Sequence, residues 1–264
     1  MKKISNTVEN YDSVSNDIKF LPKSMIRLAI LKTLYECPMN MKEVYYETKI
    51  NYSAISNTMH MLELRGYIYR ENSCYFLSNA MRIYMANMLR LGELMILLER
   101  IAPISQNHIV QALPLDSIYN FHHLDDVNLV ESDGLNVYKT YDIIEKTINK
   151  ANYLNAILPF SYNNFNESIN KLASKNKEIH LISPSDIKEF LLKNIKASKS
   201  NIKIDFLDLN ENDCLLLVCS DKKMMLGFFK DDGVYDQNRL LTSTNDECID
   251  WANELFNSFK KENM

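Results

Sequence analysis

Between Tyr52 and Arg65 the chain sets Tyr52, Ser53, Ser56, Asn57 and His60 on one side of a helix-period segment, opposite Ile55, Met59 and Leu62. The apolar trio falls at i, i+4 and i+7, which makes one buried stripe. The side chains facing the other way are hydrogen-bonding groups of the kind that read base edges and phosphates. Asn57 offers a donor and an acceptor together, which matches an adenine edge. Arg70 and Asn72 follow at the tip of a short hairpin pattern. Lys42, Lys49 and Arg65 flank the segment as cations placed for phosphates.

Residues able to break bonds show no comparable arrangement. The histidines are His60, His108, His122, His123 and His180; the last stands in a strand pattern and reads as half-buried and satisfied. His122-His123 with Asp125-Asp126 resembles a metal cluster on paper, but adjacent side chains diverge on regular structure, so a loop near a helix end is expected. Cys37, Cys74, Cys214, Cys219 and Cys248 are scattered and odd in number, with no C-x-x-C pair, and read as small buried apolar groups. With five glycines in the chain there is no phosphate-cradling loop and no nucleophile elbow. Asp231-Asp232-Gly233 reads as a turn. No cofactor, metal or catalytic residue is expected.

The elements that must hold the polar face can be read around it. Ser24 is a good N-cap for a helix that turns Met25, Leu28, Ala29, Ile30, Leu31 and Leu34 inward, and Pro38 ends it. Asn40 caps a second helix, Met41–Thr48, with Val44 and Tyr45 inward. Gly66 suits the residue after the third helix, where φ turns positive. Tyr67–Arg70 and Cys74–Leu77 flank Glu71-Asn72-Ser73 as a small hairpin. This order is a winged helix-turn-helix over residues 21–78, with recognition helix 52–65 and a wing at 70–74.

A long helix follows over residues 79–102. Leu77, Met81, Tyr84, Met88, Leu91, Met95 and Leu98 step by four and three as a heptad seam, which predicts a homodimer. Beyond Pro103 the pattern alternates. Strands are expected at Val127–Glu131, Tyr153–Leu158, Glu178–Ser183, Lys203–Leu207, Cys214–Ser220 and Met224–Lys230. Helices are expected at Tyr138–Ala151, Asn164–Ser174, Pro184–Asn194 and Asn245–Lys260. Such alternation implies a parallel or mixed sheet covered on both faces.

Charge divides with the pattern. Residues 1–100 hold 13 Lys/Arg against 10 Asp/Glu, a balance of +3, and residues 101–264 hold 17 against 24, a balance of −7. The basic excess belongs to the part with the polar helix face, and the acidic remainder argues against nucleic acid wrapping the whole chain. No apolar run approaches the ~20 residues of a membrane span, and the start lacks the apolar core of a signal peptide, so a cytoplasmic protein is expected.

The order Ile55, Ser56, Met59, Leu62, Glu63 and Gly66-Tyr67-Ile68 resembles the recognition helix and following strand of ArsR-like winged-helix repressors. That resemblance carries the DNA-facing positions onto Tyr52, Ser53, Ser56 and Asn57; His60 comes from the helix face alone. The cysteine metal motif of many such repressors is absent. The whole chain is similar to archaeal two-domain regulators, the methanogenesis regulatory proteins. The matching features are the head, the long helix, and Phe228-Phe229-Lys230-Asp231-Asp232-Gly233-Val234-Tyr235-Asp236 followed by Trp251 and Leu255-Phe256. Related archaeal regulators carry a ligand-sensing domain similar to the phospholipase D fold. None of the histidines here has the Lys two residues on that phospholipase D chemistry needs, so such a domain would have lost its reaction.

The expected architecture is therefore an α+β chain in four parts. Residues 1–20 form a mobile arm, 21–78 the DNA-binding head, 79–102 a connecting and dimerisation helix, and 103–264 an α/β domain like a non-catalytic phospholipase D fold. The expected partners are double-stranded DNA, a second copy of the chain, and a small-molecule or protein effector on the α/β domain, with no membrane. Two alternatives stand beside this reading: a winged helix that binds protein, and an enzyme on the α/β domain.

Overall fold

The structure is a computed structural model that describes residues 19–196, 200–208 and 214–261. Nearly all of the expected arm, residues 1–20, lies outside the described residues. The chain divides into two compact units, residues 1–91 and 92–264. Among the described residues no helix is long and apolar enough to cross a membrane.

The first unit opens with three helices, α1 (Met25–Glu36), α2 (Met41–Thr48) and α3 (Tyr52–Leu64). Their starts are capped from the sequence. The Ser24 hydroxyl accepts from the Arg27 amide, and Asn40 forms a reciprocal capping box with Glu43. Asn51, expected only as part of the turn, caps α3 by accepting from the Ala54 amide at 2.8 Å. Then come β1 (Ile68–Glu71) and β2 (Cys74–Leu77), an antiparallel pair with Glu71 opposite Cys74. Asn72 and Ser73 bridge them, both with positive φ (48° and 69°), as a two-residue hairpin turn of this twist requires. One core joins these elements: Ile30, Leu31 and Leu34 of α1, Val44 of α2, Ile55, Met59 and Leu62 of α3, and Ile68 and Tyr75 of the hairpin.

Two inward expectations fail. Met25 is 78% exposed and Tyr45 39% exposed. At about 100° per residue Met25 falls opposite the stripe of Ile30, Leu31 and Leu34, and Tyr45 lies one step round from Val44.

In the second unit, two short helices, α5 (Ala102–Ser105) and α6 (Leu115–Tyr119), follow the long helix α4 (Asn79–Arg100). The remaining elements are β3 (Asn128–Glu131), α7 (Lys139–Lys150), β4 (Tyr153–Ile157), α8 (Asn163–Ser174), β5 (Glu178–Pro184), α9 (Lys188–Asn194), β6 (Ile202–Leu207), β7 (Leu215–Ser220), β8 (Met224–Phe228), β9 (Arg239–Ser243) and α10 (Asp246–Lys261). Strand β9 has no counterpart among the sequence-based expectations. Pro184 closes β5 rather than opening a helix. The strands form one mixed sheet in the order β3-β9-β8-β7-β4-β5-β6. β4, β5 and β6 are parallel, while β4–β7, β7–β8, β8–β9 and β9–β3 are antiparallel.

Alternation along the strands builds two cores, one on each face. Leu215, Leu217 and Cys219 of β7 join Trp251, Leu255 and Phe256 of α10. Leu216 and Val218 join Ile144 and Ile148 of α7 and Ile169 and Leu172 of α8. The Trp251 indole donates to the Ser117 carbonyl at 3.1 Å, which ties α10 to α6.

The heptad seam does not survive as one stripe. Leu77 lies in β2 and is buried, as is Met81, and Tyr84 and Met88 pack against the same core of the first unit. Leu98 packs against the core of the second unit. Of the seven positions, Leu91 (56% exposed) and Met95 (54%) face solvent. A 3.5-residue spacing marks any apolar face of a helix, and here most of that face is used within the chain.

Candidate nucleic-acid interface

Helix α3 is held by its apolar stripe: Ile55, Met59 and Leu62 are each 0–1% exposed. Fixing those three fixes what the opposite side shows. Tyr52, Ser53, Asn57 and His60 are exposed there, and Ser56 is half-buried. The helix begins on Asn51, whose Oδ1 also accepts from the Ser53 hydroxyl at 2.9 Å. Ser53 therefore enters any interface with its proton engaged and its lone pairs open. Tyr52 and Ser53 occupy the first turn, where the free amides and the positive end of the helix dipole favour an anion such as a phosphate.

The helix ends sharply. Gly66 has φ +69°, its amide reaches the Glu63 carbonyl at 2.9 Å, and the Tyr67 amide reaches Leu62 at 3.0 Å. This paired closure reverses the chain into β1. The hairpin is stitched to the loop before α2 by reciprocal bonds between Met39 and Tyr75, at 2.8 and 3.4 Å. Tyr69 stacks on Phe76 with centroids 5.4 Å apart, and the Arg70 guanidinium sits 5.7 Å over the Tyr75 ring. Arg70 and Asn72 are exposed, as expected for a wing.

Lys42 and Lys49 are exposed, each about 6 Å from the Tyr46 ring, which they approach from opposite ends of α2. Lys49 has φ +56° and closes α2 by donating its amide to the Tyr45 carbonyl. Arg65 is differently engaged. Its guanidinium lies 3.9 Å over the Phe20 ring, and Arg27 lies 3.4 Å from the same ring centre. Phe20 thus holds two guanidinium groups, and Arg27 also donates to the Phe20 carbonyl. Burial, and then the proximity of Arg65, lower the Arg27 pKa. Arg65 is part of an internal aromatic–cation cluster that the sequence reading did not foresee. Phe20 lies 45 positions from Arg65, and no local pattern links them.

The second unit carries polar clusters of its own. His108 and Asp236, both 1% exposed, face each other at 2.9 Å. Arg239 donates to the same Asp236 oxygen at 3.1 Å and to Glu131 at 2.9 Å. His180 is paired with Asp205 at 2.7 Å, which makes it a satisfied strand histidine. The Cys219 thiol is pushed up to about 12 by burial, which leaves it a poor nucleophile. The His122 and His123 rings lie 4.3 Å apart, and among the described residues no group of three or more His, Cys, Asp or Glu side chains could hold a metal ion.

Similarity to known proteins adds the last element. No curated protein matches the chain. The solved structures it resembles include TrmBL2, an archaeal chromatin protein, at TM-score 0.42 and 12% identity over 89% of this chain and 91% of that one. An IclR-family regulator from Rhodococcus follows at TM-score 0.18 and 11% identity, covering 86% and 87%. An O-methyltransferase family protein from Burkholderia thailandensis reaches 0.26 and 10%, covering 75% and 64%. At these scores the three likenesses carry no argument. Two family models do match: methanogenesis regulatory protein FilR1, N-terminal domain, over residues 15–99, and methanogenesis regulatory protein FilR1, middle domain, over residues 137–262. With both models found in order along one sequence, the chain belongs to the family of methanogenesis regulatory proteins of the FilR1 type.

Proposed function

We propose that the protein is a DNA-binding transcriptional regulator whose head, residues 21–78, reads double-stranded DNA. The observation that carries this is the two-sidedness of α3. Its apolar side is sealed into the core, while Tyr52, Ser53, Asn57 and His60 stand in solvent beside a hairpin anchored by Met39 and Tyr75. In the major groove the N-terminal residues of such a helix meet base edges, and a wing meets the backbone or a minor groove. Asn57 specifies, Ser56, Tyr52 and Ser53 support it, and Arg70, Asn72, Lys42 and Lys49 contact phosphates. Arg65 contributes less, because its guanidinium is stacked on Phe20.

The same proposal makes the protein a homodimer through exposed positions of α4 and makes the second unit, residues 103–264 in the sequence division, a domain that binds an effector without turning it over. Its ancestry in the phospholipase D fold is supported by the mixed sheet with helices on both faces. Its loss of that chemistry is supported by His180, which is followed by Leu181 and Ile182 and paired to Asp205.

A second reading has a specific observation in its favour. Tyr46, Tyr52 and Tyr69 are 56%, 53% and 47% exposed on the head, a composition that also suits a protein partner. Mobility shift on genomic fragments, followed by sequencing of the DNA retained by the protein, decides between them. Enrichment of a defined sequence supports the first reading. Retention of no DNA at low salt, by folded protein, replaces it with the second.

A further inference from the structure

The core of the second unit does not close completely beneath the second half of α4. A cavity of about 140 Å³ remains between Leu98 of that helix, Ile104 of α5, Val110, Ile118 of α6, Phe121, and Phe228 at the end of β8. The space is a cleft partly open to solvent, and its almost wholly apolar wall is the feature to be explained.

Water does not explain it. A buried water needs two to four polar partners. The one polar side chain in the wall is Ser105, and its hydroxyl is turned to the Leu98 carbonyl at 3.5 Å. Charged and polyhydroxylated ligands are excluded on the same ground, since each would lose its hydration and find no partner inside. What the walls do fit is stated by volume and chemistry together. An apolar cavity of roughly 150 Å³ stays dry and accepts benzene or xenon. Phe121 and Phe228, 7% and 2% exposed, add two ring surfaces. Ile118, 38% exposed, stands at the rim and marks the entry side.

We propose that this cavity is the effector site, and that its ligand is a neutral, apolar molecule about the size of one aromatic ring. The proposal rests on the reading of the second unit as a ligand-responsive domain and names the ligand class for it. Occupancy stiffens the turns of α4 that carry Leu94 and Leu98, because both side chains gain packing partners on the cavity side.

The test uses the full chain and benzene as the probe, with benzoate and inorganic phosphate as charged controls. Benzene should raise the thermal midpoint by about 2–4 °C in a saturable way, and the controls should leave it unchanged. Val110→Phe fills the cavity and should abolish the benzene shift. Ile118→Trp covers the mouth from an exposed position that tolerates a larger side chain, and should abolish it too if Val110→Phe fails to fold. A folded wild-type protein with no benzene shift, or a shift that survives in a folded variant, overturns the proposal. Mobility shift on DNA is read separately. Protein that retains its operator but ignores benzene has lost only this site, whereas protein that responds to benzene but retains no DNA has lost only the regulator reading.

Discussion

The imidazole Nε2 of His108 lies 2.9 Å from Oδ2 of Asp236, and Nδ1 of the same ring lies 3.1 Å from the Ile104 carbonyl. The ring thus has an oxygen partner on each side, a carboxylate at Nε2 and a backbone carbonyl at Nδ1. Asp236 in turn accepts from the Asn238 amide at 3.0 Å and from Arg239 at 3.1 Å, so the buried carboxylate is fully bonded. The segment after α5 is thereby tied to the connection between β8 and β9 by a buried polar pair that adds to the apolar packing of Ile104 and Phe228.

Asp236→Asn should cost about 1–3 kcal/mol in urea unfolding at pH 7, because it weakens the bonds that the carboxylate makes with buried His108 and half-buried Arg239. The pH dependence follows from the shift. Burial alone would raise the Asp236 carboxyl; the Asn238 amide, His108 and Arg239 outweigh it and hold the carboxyl below its usual range. A depressed carboxylate stabilises the fold above its unfolded pKa of about 4, and that contribution is lost as pH falls through the lower folded value. Wild-type stability should therefore drop more steeply below pH ~4 than that of the variant. Parallel profiles would show that the carboxylate is not strongly coupled to folding.

Gly227 sits in β8 with the Tyr235 hydroxyl where a side chain would go: a Cβ there would stand 2.5 Å from that oxygen. The Tyr235 ring is held by Phe160 at 4.7 Å and Phe229 at 5.5 Å. Gly227→Ala should cost about 1–3 kcal/mol through overpacking. Adding Tyr235→Phe removes the oxygen and should recover part of that loss. A double variant no more stable than the single, in thermal unfolding, would place the strain elsewhere.

On DNA, the two halves of the proposed interface should separate by salt. Asn57→Ala should weaken operator binding by ~1–3 kcal/mol more than random-DNA binding, with little change in salt dependence. Arg70→Ala should weaken both alike and lower the salt slope by about one unit if it neutralises one phosphate. Titrations at several salt concentrations read both effects. Operator preference untouched by Asn57→Ala, in a folded protein, removes α3 as the reading element.

The dimer is best probed where α4 is bare. Leu91→Glu with Met95→Glu places two charges on exposed positions, so the monomer fold should be spared while association is lost. Light scattering should report monomers. A dimer of unchanged mass would locate the association on another surface. Leu98 is unsuited to this test, because it packs against the core of the second unit.

Local rules made the head legible from its residues. The stripe of Ile55, Met59 and Leu62, the caps at Ser24 and Asn40, and Gly66 with its positive φ are each set by neighbours within one helical turn, and all recur in the fold. The turn at Asp231-Asp232-Gly233 is of the same kind, with Gly233 at φ +78°. Everything that joins distant segments had to wait for the tertiary structure. β9 was missed because Arg239-Leu240-Leu241-Thr242-Ser243 is too short to show a period and is buried on both sides. The strand order, with β7 between β8 and β4, is a choice among pairings that alternation leaves open. Arg65 on Phe20 and His108 on Asp236 are contacts of 45 and 128 positions. The α4 seam shows the limit most directly. Spacing marks which side of a helix is apolar, but whether that side meets its own chain or a second copy depends on the rest of the fold.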